Sequence, residues 1–382
     1  MDFRLSELQQ EVVRTAREFA EKELLPKVLE RDQAQVYSME VWKRMGELGL
    51  LGLPYPKEYG GSGAGYMEYA LALMELAKVD ASVAISYSIS TSVAVGGIYH
   101  YGSEEQKKRF MPALLSGECI GAFGLTEPDA GSDASNIKTI AEKQGDYYLL
   151  NGMKCFTTNG PVARYYFVIA STNPELKTKG LSAFIVDMQW EGVRIGKIEN
   201  KMGLNEAQVS EVYFDNVRVP KDHLLGQEGK GFNYAMASLD CGRIGVAAQG
   251  LGIAIGAFDA AKKYMEERRQ FGQELYKNQY MAFRMATLAA KIEQARLLLF
   301  RAAWLHDVGE PYSVAASMAK LMCTDLAMEV STEAVQFLGG NGYMKEYHVE
   351  RMMRDAKITQ IYEGTNEIQR LVIANSLFRR KK

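Results

Sequence analysis

The chain has 382 residues, of which 47% are hydrophobic and 24% charged, and its formal net charge is -2. That length is too great for one small core and fits two or three domains. The near-neutral balance gives no global field for nucleic acid, and the mixture is that of a globular protein.

The one basic run is Arg379-Arg-Lys-Lys382. It reads as a solvated tail, with a phosphate-binding arm as the alternative. Cys119, Cys155, Cys241 and Cys323 are far apart and form no C-x-x-C pair. That argues against a disulfide framework and against a zinc motif. Four histidines, none spaced as H-E-x-x-H, argue against a histidine-rich metal centre. The N-terminal MDFRLSELQQ has no apolar core like that of a signal peptide. No stretch reads as long enough to span a bilayer, and a cytoplasmic location is the expectation.

The first third, residues 1–120, reads as helical. Ser6-Glu-Leu-Gln9 and Ser103-Glu-Glu-Gln106 are capping boxes. Apolar positions recur at helical spacing through Val12, Phe19 and Leu24. Residues 67–78 form another helical run. The Gly60-Gly-Ser-Gly-Ala-Gly65 segment lacks the strand before it and the Lys-Ser/Thr after it that a phosphate loop needs. It reads as a connector.

Residues 121–230 change texture. Residues 147–157 predict two strands around an Asn151-Gly152 hairpin turn, because that dipeptide tolerates positive φ at both positions. Strands follow at 165–170, 181–186 and 209–219, closed by Pro220. Short strands without intervening helices predict an antiparallel sheet or barrel rather than a doubly wound nucleotide fold. Residues 231–382 return to helices at 234–268, 280–306 and 313–338. Their Ala-, Leu- and Met-rich composition suits a four-helix bundle or subunit contacts.

Four motifs carry more than periodicity. They are Ala122-Phe-Gly-Leu-Thr-Glu-Pro-Asp-Ala-Gly-Ser-Asp133, Arg268-Arg-Gln-Phe-Gly272, Gln336-Phe-Leu-Gly-Gly-Asn-Gly-Tyr343 and Arg354-Asp-Ala-Lys-Ile-Thr-Gln-Ile-Tyr-Glu-Gly-Thr-Asn-Glu367. In this order and spacing, and across essentially the whole chain, they resemble the acyl-CoA dehydrogenase family, most of all its short-chain, butyryl-CoA group. The resemblance implies FAD as cofactor and an α+β fold of three parts: a helical domain, a middle antiparallel β-barrel and a C-terminal four-helix bundle.

Taken alone, each motif has an ordinary reading. The Gly131-Ser132 segment is a surface turn, Arg268 a solvated helix end, and the glycines after Gln336 a helix cap. Asp240 and Arg243 read equally well as an intrahelical ion pair.

The resemblance assigns them further roles. Phe123, Leu125, Thr126, Ser132, Phe156 and Thr158 would meet FAD, with Phe156 where relatives often carry tryptophan. Arg268, Phe271, Gln279, Gln336, Gly339 and Gly340 would reach the FAD of a neighbouring subunit, which implies an oligomer, read as a homotetramer. Thr365 and Glu367 would complete the flavin site. Ser132, Asp240, Arg243, Thr359 and Gly364 would meet the acyl-CoA.

Glu363 would be the base. An α C–H is a weak acid, so its carboxylate needs raised basicity, which burial between Ile361-Tyr362 and Gly364-Thr365 would supply. Some branches of the family carry the base near the Asp-x-x-Arg segment, where this chain has Gly242. The resemblance further implies electron-transfer flavoprotein as electron acceptor. It points to a C4 straight-chain thioester, with Thr359 narrowing the pocket and Ala237 leaving it deeper. No arginine stands in residues 81–87 to hold a dicarboxylyl substrate. The alternatives are an enoyl-CoA reductase working in reverse, an oxidase or desulfinase on the same scaffold, and a non-catalytic CoA-binding helical protein.

Overall fold

The computed structural model describes residues 4–378, so the basic run at 379–382 lies outside the described residues. The N-terminal helices are α1 (Glu7–Phe19), α2 (Val28–Ala34), α3 (Met39–Glu47), α4 (Tyr66–Ala77), α5 (Ala81–Ser88), α6 (Gly96–Tyr101) and α7 (Glu104–Leu115). Both capping boxes form. The Ser6 hydroxyl accepts the Gln9 N–H at 3.2 Å, and the Ser103 hydroxyl accepts that of Gln106 at 3.2 Å. Between α5 and α6 the chain continues through a buried π-helical segment, Ile89–Val95.

The strands are β1 (Gly121–Gly124), β2 (Ile140–Gln144), β3 (Tyr147–Thr158), β4 (Tyr165–Ser171), β5 (Leu181–Asp187), β6 (Val193–Ile198), β7 (Val209–Pro220) and β8 (Leu224–Leu225). They form one sheet of order β6-β7-β3-β2-β4-β5-β8, with β1 beside β4. Most pairs are antiparallel, but β1 and β2 run parallel to β4, so the sheet is mixed.

The Asn151-Gly152 hairpin does not form. Both residues lie inside β3, where the pairing with β7 slips by a bulge. Gly152 sits at φ 139, and a Cβ there would strike Thr139. The Asn151 side chain instead accepts the Asn216 N–H at 2.8 Å. The turn falls at Gly145-Asp146, between Gln144 and Tyr147. Pairing on both edges of β3 outweighs the local turn preference, and a positive-φ glycine serves a bulge as well as a turn.

The C-terminal helices are α8 (Gly231–Glu267), α9 (Gln279–Asp307), α10 (Ser313–Leu338), α11 (Val349–Thr359) and α12 (Asn366–Phe378). The expectation that no stretch reaches bilayer length needs correcting. The 81–101 rod and α8 are both long and apolar enough, but 100% and 83% of their most apolar windows are buried inside the fold. Close packing consumes that surface: a Cβ on Gly256 would meet the Lys78 carbonyl carbon and Cα, so α4 and α8 touch backbone to backbone there.

Buried charge ties the parts together. Arg31 on α2 pairs with Asp80 and Glu206, each at 2.7 Å, joining the N-terminal helices to the loop before β7. Removing one partner would leave the others buried and unpaired, at a cost of about 3–5 kcal/mol.

Candidate active site

The site is built on α11. Arg354 pairs with Glu350 at 2.7 Å and Asp32 at 3.1 Å. Asp355 pairs with Arg351 at 3.0 Å and accepts the Leu204 N–H at 2.6 Å. This Arg-Asp pair therefore fastens α11 to both other parts of the chain, and α11 delivers the turn that follows it. In that turn Glu363 has φ 51 and Gly364 φ 93. Two consecutive left-handed residues are costly for a glutamate, and such conformations persist where the surroundings over-determine them.

The surroundings come from α10 and α12. The Gly364 carbonyl accepts from Lys320 Nζ at 3.0 Å and from Gln369 Nε2 at 2.8 Å. Lys320 also donates to Asn366 Oδ1 at 2.8 Å, and Asn366 donates to Asp325 at 2.7 Å. Held this way, Glu363 projects toward α8. Both of its carboxylate oxygens are hidden from solvent and have no hydrogen-bond partner. Burial pushes the carboxyl up to about 7, against the opposing pull of Lys320 and Arg243. Burial likewise pulls the Lys320 ammonium down to about 7, against Glu363.

Gly242 makes the room. A Cβ at that position would overlap Glu363 Oε2 and press on Val93. Gly242→Ala is therefore expected to displace the carboxylate and lower turnover by about 10²-fold, the loss that a misplacement of ~1 Å produces. Steady-state kinetics would check this, and unchanged kcat would show that the placement of Glu363 does not depend on that space.

Val93 belongs to the π-helical segment, whose other side meets the sheet. Ser90 Oγ accepts the Gly121 N–H at 3.0 Å, and Asn159 Nδ2 donates to the Ser86 and Gly121 carbonyls, both at 3.1 Å. The segment is thus a wall shared by Glu363 and β1. Phe123 lies on β1, with Leu125 and Thr126 just beyond. The Thr126 carbonyl accepts the Cys155 N–H at 2.9 Å, which sets Phe123, Leu125 and Thr126 alongside Phe156 and Thr158 at the end of β3.

Phe156 is 66% exposed with φ 54, an apolar ring held in solvent by a strained backbone. Ser132 lies exposed in the β1–β2 connection. A buried ion pair, Lys154–Glu127 at 2.7 Å, supports the Leu125–Thr126 segment, and Lys154 also donates to the Leu125 carbonyl at 3.2 Å.

Asp240 and Arg243 form the intrahelical pair. Arg243 is also one of the two cations that pull against the burial of Glu363. Thr359 is fully buried and donates to the Ala356 carbonyl at 2.6 Å. Thr365 and Glu367 stand at the start of α12. Ala237 borders a cavity with His100, Cys241 and His306, and Glu363 is not among that cavity's walls.

A third set stands apart. Arg268 lies 26 residues beyond Gly242 on the α8 rod, about 39 Å along its axis. Arg268, Phe271, Gln279, Gln336, Gly339 and Gly340 are all exposed, and Phe271 is 99% exposed at φ 53. One chain does not bring them to Glu363.

Lys320, Lys154, Glu127 and Gln369 escaped the sequence reading. Lys320 carries one signal: it is the lone charge in the otherwise uncharged run 313–324. Its partner is visible only after folding.

Three family models match the chain: acyl-CoA dehydrogenase N-terminal domain over residues 6–118, middle domain over 122–217 and C-terminal domain over 229–378. The chain belongs to the acyl-CoA dehydrogenase family. One relative in this family, the short-chain specific acyl-CoA dehydrogenase of Clostridium acetobutylicum, is 48% identical over 99% of this chain and 100% of its own length. Butyryl-CoA dehydrogenase from Megasphaera elsdenii superposes with TM-score 0.98 at 47% identity, covering 99% of this chain and 100% of that one. A chain from the structure "Electron transferring flavoprotein of Acidaminococcus fermentans: Towards a mechanism of flavin-based electron bifurcation" superposes with TM-score 0.99 at 50% identity, with full coverage of both. The helical, β and helical parts described above are those of the acyl-CoA dehydrogenase fold.

Proposed function

We propose that this acyl-CoA dehydrogenase is FAD-dependent and removes the α- and β-hydrogens of a short, C4 acyl-CoA, with Glu363 as the base. The observation that carries this is the pair of hidden, unpartnered Glu363 oxygens facing the space that Gly242 leaves. A carboxylate pushed up to about 7 is matched to taking a proton near neutral pH. The α-proton passes to Glu363 as the Cα–H bond breaks, and its electron pair forms the Cα=Cβ bond of the trans-2-enoyl-CoA. Bound FAD supplies the acceptor for the β-hydrogen and its electron pair. The Glu363 N–H has no acceptor among the described residues and supplies a donor for the thioester oxygen as negative charge develops there.

The donor set suits a flavin. An exposed aromatic, Phe156, lies beside the polar Thr126 and Thr158, and Gly339 and Gly340 have open space where a Cβ would stand. Phe123, Leu125, Thr126, Ser132, Phe156, Thr158, Thr365 and Glu367 would hold FAD from one subunit. Arg268, Phe271, Gln279, Gln336, Gly339 and Gly340 would hold it from a neighbour, because all six are exposed and Arg268 lies about 39 Å along α8 from Gly242. A homotetramer follows as the reading. Ser132, Asp240, Arg243 and Gly364 would meet the thioester and its CoA, and buried Thr359 would limit the chain.

The α5 helix has no arginine for a distal carboxylate. The electron acceptor in this reading is electron-transfer flavoprotein, and the Acidaminococcus likeness supports it. We read the three parts as residues 1–120, 121–230 and 231–382, the second a barrel-like sheet and the third a four-helix bundle. Four free thiols suit a reducing, cytoplasmic setting.

The test is a flavin spectrum. Purified protein should be yellow and should bleach fastest with butyryl-CoA in an acyl-length series. A colourless protein, or one unbleached by any acyl-CoA, would overturn the reading. Faster oxidation of reduced protein by crotonyl-CoA with reduced electron-transfer flavoprotein would place the physiological direction in reverse. Arg268→Ala should lose flavin on gel filtration by about tenfold relative to the parent, since a bidentate charged contact contributes about 1.5–3 kcal/mol.

A further inference from the structure

Cys241 adjoins Gly242 on α8. It lines a cavity of about 260 Å³ with Ser92, Gly96, His100, His306 and Tyr312, and Glu363 is not among its walls. His100 lies in the last turn of α6, His306 in the last turn of α9 and Cys241 on α8. Their ligating atoms nevertheless lie within 4.8 Å of one another.

The support behind this cluster is built. The Asp307 carboxylate stands 3.5 Å from His306 Nδ1 and is itself fixed by accepting the Tyr66 and Met67 N–H groups at 2.7 and 2.9 Å. A carboxylate behind one imidazole nitrogen orients the other nitrogen toward a ligand. The Tyr66 ring packs on His306 with centroids 3.7 Å apart, and the Tyr66 hydroxyl is buried without a partner. Tyr312 Oη lies 3.0 Å from Cys241 Sγ.

We propose that His100, Cys241 and His306 form a site for one borderline-soft divalent cation of the zinc class, with the cavity leaving a fourth position for water or a small anion. Two imidazoles and a thiolate select zinc over magnesium or calcium. Zinc–nitrogen bonds of about 2.0–2.1 Å and a zinc–sulfur bond of about 2.3 Å place tetrahedral ligands roughly 3.3–3.6 Å apart. The three side chains therefore close by up to about 1.2–1.5 Å on loading. No spacing motif announces the site, because each ligand comes from a different helix.

The flavin-loaded protein, stripped with a chelator and dialysed against zinc, tests this. We expect one zinc per chain after gel filtration, with an X-ray absorption first shell of one sulfur and two imidazole nitrogens. Cys241→Ser, His100→Gln and His306→Gln should each weaken zinc binding by about 100-fold, while Cys155→Ser, an exchange of a thiol outside the cluster, should not. Less than equimolar zinc in the parent, a sulfur-free shell, or undiminished binding in Cys241→Ser would each overturn the proposal. The parent's absorption spectrum decides the matter even if a variant fails to fold.

Discussion

Glu363→Gln is expected to lower kcat by about 10³- to 10⁴-fold while leaving flavin content and thioester binding intact. The amide keeps the shape of the side chain but cannot take a proton, and a positioned base contributes about 10²–10⁴. Its setting amplifies the loss, because α8 offers no carboxylate of its own at that point, where Gly242 stands. Rapid mixing with butyryl-CoA would show binding without bleaching of the flavin. Turnover within about threefold of the parent would sink the assignment.

The same variant makes a stability prediction. The folded-state pKa of Glu363 is raised from its ordinary value to about 7. The protonated carboxyl therefore contributes stability that is fully present below pH 4.5 and is lost as pH rises through about 7. A neutral amide escapes that loss, so Glu363→Gln should melt at a higher temperature than the parent above pH 7, with the difference shrinking in acid. A thermal melt series across pH would check the sign.

Lys320→Met is expected to move the acid limb of the kcat profile to higher pH by about one unit, the shift a lost opposite charge nearby produces. In the proposed reading turnover requires ionised Glu363, so the limb of the parent should fall near 7. Lys320 favours that ionised form, as Arg243 does, while Tyr69 and Tyr362 also face the carboxylate. Lys320 itself faces Glu363, Arg243, Asp325 and Glu367. Because the lysine is also pulled down to about 7, the two groups titrate as a pair.

Removing the ammonium leaves the Gly364 carbonyl with Gln369 alone, so a loss of about 1–3 kcal/mol in stability should accompany the shift. Those two effects separate roles. A lysine that only braces the turn would change the melting temperature and leave the limb in place, so an unmoved limb would refute the electrostatic part.

Much of the architecture was legible from local pattern. The capping boxes at Ser6 and Ser103, the long helices of the C-terminal third and the strands after Gly121 all follow from periodicity and caps that act within a few residues. The Asn151-Gly152 hairpin failed where two strand edges competed with a turn signal. The bilayer expectation failed because apolar length says nothing of what covers it.

The candidate site divides along the same line. The four motifs and their order were determined by the sequence alone, and with them the family and the choice of Glu363 as the base. Only the tertiary structure decided the setting of that carboxylate. Desolvation, the Lys320 clamp, the space at Gly242 and the convergence of His100, Cys241 and His306 all arise between residues far apart in the chain. Interactions of that kind have no local spacing to read, since they exist only once helices that are remote in sequence pack side by side.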